Sequence, residues 1–153
     1  MRKSKSWKKK LSAMITATLC LWGGCNTFVY ALPTDNHDMQ NIKSVTSSSS
    51  VMNILGKGSS LNSVIKWGDF SIANGETVNF SQMKSILNLV DGHNISKIYG
   101  SLNAPNIDVF LLNPNGVIFG AGSQVDAGSL TVSARTLSED AITDLFLMEL
   151  YLK

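Results

Sequence analysis

Apolar and polar residues alternate with period two through the middle of the chain. Ile65 and Trp67 fall on one side of such a run, Phe70 and Ile72 make a second pair, and Val78 and Phe80 follow the dipeptide Asn74-Gly75. Alternation in short runs bounded by Asn-Gly or Gly predicts β-strands joined by tight turns. The stretch Ser81 to Leu89 departs from it: Met83, Ile86, Leu87 and Val90 recur at helical spacing, which predicts one or two helical turns broken by Asp91-Gly92 and His93-Asn94. Ahead of the alternating region, residues 32–50 are polar and end in four serines, Ser47 to Ser50, predicting a loop with short strands at most.

The second half repeats. Writing residues 97–116 above residues 117–136, a shift of 20, aligns Ile98 with Ile118, Tyr99 with Phe119, Gly100 with Gly120, Phe110 with Leu130 and Leu112 with Val132; one step back puts Val78 over Ile98. A period near 20 residues favours a parallel β-solenoid, in which each coil stacks its apolar positions on the coil before it, over a β-sandwich.

Composition enters once the amino terminus is set aside. Six of the 13 basic residues (Arg2, Lys3, Lys5, Lys8, Lys9, Lys10) precede an uncharged stretch from Leu11 to Val29, and Val29-Tyr30-Ala31 supplies a cleavage sequence. A positive head, an apolar core and such a site predict a secretory signal peptide over residues 1–31, cut between Ala31 and Leu32. A retained membrane anchor, interrupted by Gly23-Gly24, Cys25 and Asn26, and lipidation at Cys25 are the competing readings.

Removing 31 residues leaves 153 − 31 = 122, with 13 − 6 = 7 basic and 11 acidic groups, a net charge of 7 − 11 = −4. The whole-chain surplus of +2 belongs to the leader, so neither value points to a nucleic-acid partner. Cys20 and Cys25 leave with the leader, so the mature chain has no disulfide and no thiolate metal site. An exported domain without disulfides needs another source of stability, such as a regular hydrogen-bonded sheet. Asn (12), Ser (17) and Gly (10) make up 39 of the 122 mature residues. Asn and Gly tolerate the left-handed backbone of sharp corners, and Asn amides also stack in ladders between coils.

The segment Phe110 to Gly120 (FLLNPNGVIFG) reads as an apolar strand, a corner and a second apolar strand. Pro114 fixes φ, Asn113 caps the turn with its side chain, and Asn115-Gly116 supply positions suited to positive φ. By itself the motif is equally a tight solenoid corner with no partner of its own. It resembles the Asn-Pro-Asn-Gly signature of the two-partner secretion domain at the amino end of filamentous haemagglutinin-type exoproteins.

Further blocks carry the resemblance in order. They are Ala31-Leu32-Pro33-Thr34; Val64 to Ile72 with Val78-Asn79-Phe80, similar to that family's Trp-x-x-Phe-x-Ile … Val-x-Phe; Ile86 to Val90; Ile98 to Leu102; and Gly128 to Ala134. The resemblance spans residues 31 to 140. It implies a right-handed parallel β-helix with amino-terminal capping strands. It also implies transit of the inner membrane by the general export machinery, recognition in the periplasm by an outer-membrane β-barrel transporter of a Gram-negative cell, and release or surface display. Asn113, Pro114, Asn115 and Gly116 are then the secretion motif. Adhesion to a host-cell or glycan surface would belong to repeats further downstream, which this chain lacks.

After residue 140 the chain turns apolar on nearly every side (ITDLFLMELYLK), unlike a solenoid coil or a polar cap. A truncated gene or altered frame is expected for this tail, against a short helix covering the last coil. No catalytic residue, cofactor or metal site is expected. His37 and His93 sit in polar segments, Asp69, Asp91, Asp108 and Asp126 are single, and neither a nucleophile elbow nor a phosphate loop occurs. The alternative reading is an exported solenoid that binds or cleaves polysaccharide.

Overall fold

The structure, a computed structural model, describes residues 31–138. The expected leader, both cysteines and the apolar tail lie outside the described residues. The strands are β1 (Thr34–Gln40), β2 (Ile42–Ser47), β3 (Val51–Gly56), β4 (Asn62–Asp69), β5 (Thr77–Ser81), β6 (Ser85–Val90), β7 (Ser96–Ile98), β8 (Ser101–Leu112), β9 (Val117–Phe119) and β10 (Gln124–Ser133).

Pairing sorts them onto three faces. On the first, β4 pairs β6 in parallel, β6 pairs the second half of β8, and that half pairs the end of β10. On the second, β3, β5 and the first half of β8 pair in parallel, with the start of β10 following. The third carries Ile72 beside Ile98 and β7 beside β9. β8 therefore serves two faces, and its bend falls at Pro105-Asn106, where Asn106 takes φ +61°. This is an all-strand parallel β-solenoid of about four turns, as the resemblance implied.

Two antiparallel strands close the amino end. β1 runs against β4 and β2 against β3, so the first coil's free edges on two faces are covered. Unpaired edges invite pairing with other chains, and a polar covering strand prevents it. The leading segment thus holds more strand than the sequence suggested, because β1 is held by its pairing with β4, and β2 by its pairing with β3 together with Ile42 and Val45, which pack on the core. Only the serine run behaves as expected, making a tight turn in which Ser48 N donates to Val51 O at 2.8 Å.

Inside, apolar side chains stack in columns. Trp67 and Phe70 are fully buried and meet edge to face at 5.6 Å. Ile54, Ile65, Ile72, Val78, Ile86, Ile98, Leu102, Val109 and Leu111 complete the core. Trp67 Nε1 donates to Asn88 Oδ1 at 3.0 Å, and Asn88 Nδ2 donates to Phe110 O at 3.2 Å, so this buried amide is bonded at both ends. Outside the second face, Asn103 donates to Asn79 (3.1 Å) and Asn79 to Asn53 (2.9 Å), the ladder anticipated from composition.

Two expectations need correction. The stretch expected to be helical is strand β6, because both of its sides are buried: Ile86 and Val90 join the main core, while Leu87 and Leu89 pack with Val64 and Leu112 on the outside of the first face. A strand covered on both sides loses its alternation and mimics other periods.

The 20-residue alignment was also out of register. Spacings are 85 − 62 = 23 (Asn62 beside Ser85) on the first face, 77 − 51 = 26 (Val51 beside Thr77) on the second and 117 − 96 = 21 (Ser96 beside Val117) on the third. Ile98 therefore lies beside Phe119 rather than Ile118, Leu130 beside Val109, Val132 beside Leu111, and Val78 beside Leu102. A slip of one residue exchanges inside for outside, so only the true spacing buries the columns.

We expect Asn88→Leu to lower stability by about 1–3 kcal/mol despite its apolar character, since it strands the indole N–H and the Phe110 carbonyl. Urea unfolding of the purified protein reads the change.

Candidate functional site

The corner between β8 and β9 is built around one side chain. Asn113 is fully buried, and Gly116 N donates to Asn113 O at 2.9 Å, closing a turn with Pro114 at its first central position. Asn113 Oδ1 accepts from Asn115 N (2.9 Å) and Asn115 Nδ2 (3.1 Å). Its Nδ2 donates to Asn94 O and Ser96 Oγ, both at 2.9 Å, in the preceding coil. Its backbone N donates to Ser133 O (3.0 Å) in the following one. Every donor and acceptor of the amide is engaged, and a single residue joins three coils.

Asn115 adds a second link, its Nδ2 donating to Gly92 O at 2.7 Å. Gly116 alone of the expected pair has positive φ, +108°, while Asn115 does not. The stack continues downward: Asn94 Nδ2 donates to Asp69 Oδ2 at 3.0 Å, and Gly92 lies against the carbonyl of Gly68, where any Cβ would clash. Pro114 and Asn115 remain exposed, beside a small cleft lined by Leu89, Leu112, Arg135 and Leu137.

The cap reaches the same corner stack. His37 of β1 bonds Asp91 Oδ2 through Nε2 (2.8 Å) and Asp35 O through Nδ1 (2.8 Å), and Lys66 pairs Asp38 at 3.1 Å. The Asp35 carbonyl first, and the Asp91 carboxylate second, raise the His37 pKa above 6.5.

Ala31 and Leu32, the expected cleavage residues, lie on the groove that also exposes Asp69, His93 and Asn94. The structure thus gathers Asn113, Asn115 and Gly116 into one hydrogen-bonded unit, and its partner Asn94 also lines the groove of Ala31 and Leu32. Sequence reasoning missed three residues. Asn88 is hidden in an apolar run, though the nearby tryptophan needed a partner; Asp91 was read as a helix breaker; Glu76, 2% exposed, carried no signal beyond following Asn-Gly.

The carboxylates stay separate: Asp69 holds Asn94, Asp91 holds His37, and Asp108 accepts from Ser129 Oγ at 2.6 Å. Among the described residues no group of three or more His, Cys, Asp or Glu is placed to hold a metal ion. Fold and corner together define a capped β-solenoid whose polar side chains tie coil to coil.

The profile of the TPS secretion domain family matches residues 30–149, and the chain belongs to that family of two-partner secretion domains. It is 37% identical over 76 residues to a heme/hemopexin-binding protein of Haemophilus influenzae, a stretch covering 48% of this chain and 8% of that one. Its fold is similar to the HMW1 secretion domain from Haemophilus influenzae, with a TM-score of 0.61 and 24% identity over 72% of this chain and 30% of the other. The family is one of exoprotein secretion domains and is not an enzymatic one.

Asn113→Ala should cost about 2–4 kcal/mol, as the partners of a fully bonded buried amide are left unmet, whereas Asn115→Ala should cost about 1 kcal/mol. Chemical denaturation of each variant reads the difference. The His37 contacts stabilise the cap fully below pH 6.5, the unfolded value, and that contribution is lost as pH rises through the raised folded value. Protection of β1 amides, taken relative to the intrinsic base-catalysed exchange rate, should fall over that rise, and His37→Gln should remove this fall.

Proposed function

We propose that this chain is the amino-terminal secretion-signal domain of an exported adhesin-type exoprotein, recognised in the periplasm by a partner outer-membrane β-barrel transporter. In this reading residues 1–31 are a leader for the general export machinery, and residues 32–140 are the domain. The product is secreted or held at the cell surface, and any host or glycan target belongs to the longer exoprotein. The family match over residues 30–149 is the observation that carries it. The domain acts without catalysis in this reading, in keeping with Asp69, Asp91 and Asp108 each being engaged singly, with a neighbouring coil or with the cap.

In this reading the Asn113 to Gly116 motif acts through the folded corner rather than as a docking surface. Asn113 is fully buried, so in the folded domain it is out of a transporter's reach. Its role in export is to fasten coils once the chain emerges, and folding outside disfavours return through the pore. During transit the extended chain offers strand edges for β-addition to the transporter.

Co-expression with the partner transporter tests this, with culture supernatant and periplasm assayed separately. Asn113→Ala combined with Asn115→Ala should move most of the protein from supernatant to periplasm. Undiminished export would remove the motif's role, and export without any partner transporter would overturn the reading as a whole.

A further inference from the structure

Glu76 sits under the cap in a setting that the secretion role does not use. It follows Asn74-Gly75, and Glu76 N donates to Ala73 O at 3.0 Å, closing the turn that Gly75 permits with φ +82°. Ser101 N donates to Glu76 O at 2.9 Å, tying that turn to the next coil. The backbone is thereby fixed, and the side chain points inward with only 2% of the residue exposed.

Its carboxylate accepts from two backbone nitrogens. Ala73 N donates to Oε2 at 2.8 Å, and Ala31 N reaches Oε1 at 3.0 Å and Oε2 at 3.1 Å. One N–H shared between two oxygens makes a bifurcated bond, weaker to each than a separate one, whereas an ammonium can give each oxygen its own N–H. Glu76 takes part in neither the His37–Asp91 nor the Lys66–Asp38 ion pair. A buried carboxylate is costly unless a charge or several donors meet it.

We propose that Glu76 is the seat for the α-ammonium group that processing creates at Leu32. The proposal rests on the reading of residues 1–31 as a cleaved leader. Hydrolysis of the Ala31–Leu32 bond by a leader peptidase consumes one water, leaves a carboxylate on Ala31 and an amine on Leu32, and the amine takes up a proton. The new cation starts one residue, at most about 3.6 Å, from the nitrogen now held. Leu32 packs against the core and Pro33 is buried, so both keep the new terminus close to Glu76. Cleavage thus replaces a neutral donor by a cation on a buried anion and fastens the amino end to the turn before β5.

The full chain, expressed with its leader in a Gram-negative host and recovered from the periplasm, provides the test. Intact mass gives the processing site. Acetylation by acetic anhydride near neutral pH, followed by mass spectrometry, then compares the terminal amine with the lysines in the native protein and in urea. A terminus at Leu32 whose amine reacts about 10-fold slower in the native protein than in urea, the factor carried by one pKa unit, supports the seat. Glu76→Gln should restore fast labelling while the circular dichroism stays that of β-structure. If that variant does not fold, the wild-type comparison decides alone. Equal reactivity in the native protein and in urea with a Leu32 terminus overturns the seat and leaves the leader reading intact. An unprocessed chain, or one cut elsewhere, overturns both.

Discussion

Each coil must present its inward side chains directly above those of the coil before, and the remaining features of the molecule follow from that register. Parallel pairing supplies it, because bonds between neighbouring coils fix which residue lies over which. Ile72 over Ile98, Met52 over Val78 over Leu102, and Ile65 over Asn88 over Leu111 are columns set by this pairing. Loop length between the strands is free to vary provided the register is kept, which is why spacings of 21 to 26 residues coexist in one short solenoid. Corners carry the accommodation, so the corner residues are the specialised ones: Asn113 with its buried amide, Gly92 against the Gly68 carbonyl, and Asn106 at positive φ.

What was legible in the sequence tracks this division. The alternation at Ile65, Trp67, Val78 and Phe80 gave strands and their inner faces, since one side of each meets the core and the other solvent. The Asn and Gly content gave corners and the ladder. β6 was misread because Leu87 and Leu89 are covered from outside, and the repeat was misaligned, by one residue in the last coil and by four at Val78, because corners of unequal length do not reveal their bulges to a fixed shift. Of the candidate site, the turn at Asn113 to Gly116 was readable as local chemistry. Its bonds to Asn94, Ser96, Gly92 and Ser133 were not, being 17 to 23 residues away along the chain. Glu76 was invisible for the same reason: its donor Ala31 is 45 residues away.

Polar groups inside the solenoid obey a strict accounting, as burying an amide or carboxylate without partners costs more than its bonds return. Asn88 and Asn113 meet it by bonding neighbouring coils, so that the same atoms that would be a burden in an isolated hairpin become links once the next coil is laid down. Such residues favour the assembled state over any single coil. A lone coil gains little from this arrangement, so the bonds reward the stack and not its parts.

The two ends of the solenoid differ in kind. At the amino end, antiparallel β1 and β2 cover the edges and expose polar side chains. At the other, among the described residues, four columns end on exposed apolar residues: Phe119 above Ile98, Val125 above Leu102, Leu130 above Val109 and Val132 above Leu111. The outer ladder finishes too. The position beside Asn103 is Asp126, and a carboxylate has no N–H with which to continue a series in which each later amide donates to the earlier one. The rung between Asp126 and Asn103 is therefore missing from the series, whereas a following coil would bury the apolar columns and could still donate an amide N–H to the Asp126 carboxylate. Stacking can proceed in one direction only, away from the cap, and the capped coil is the natural starting point for it.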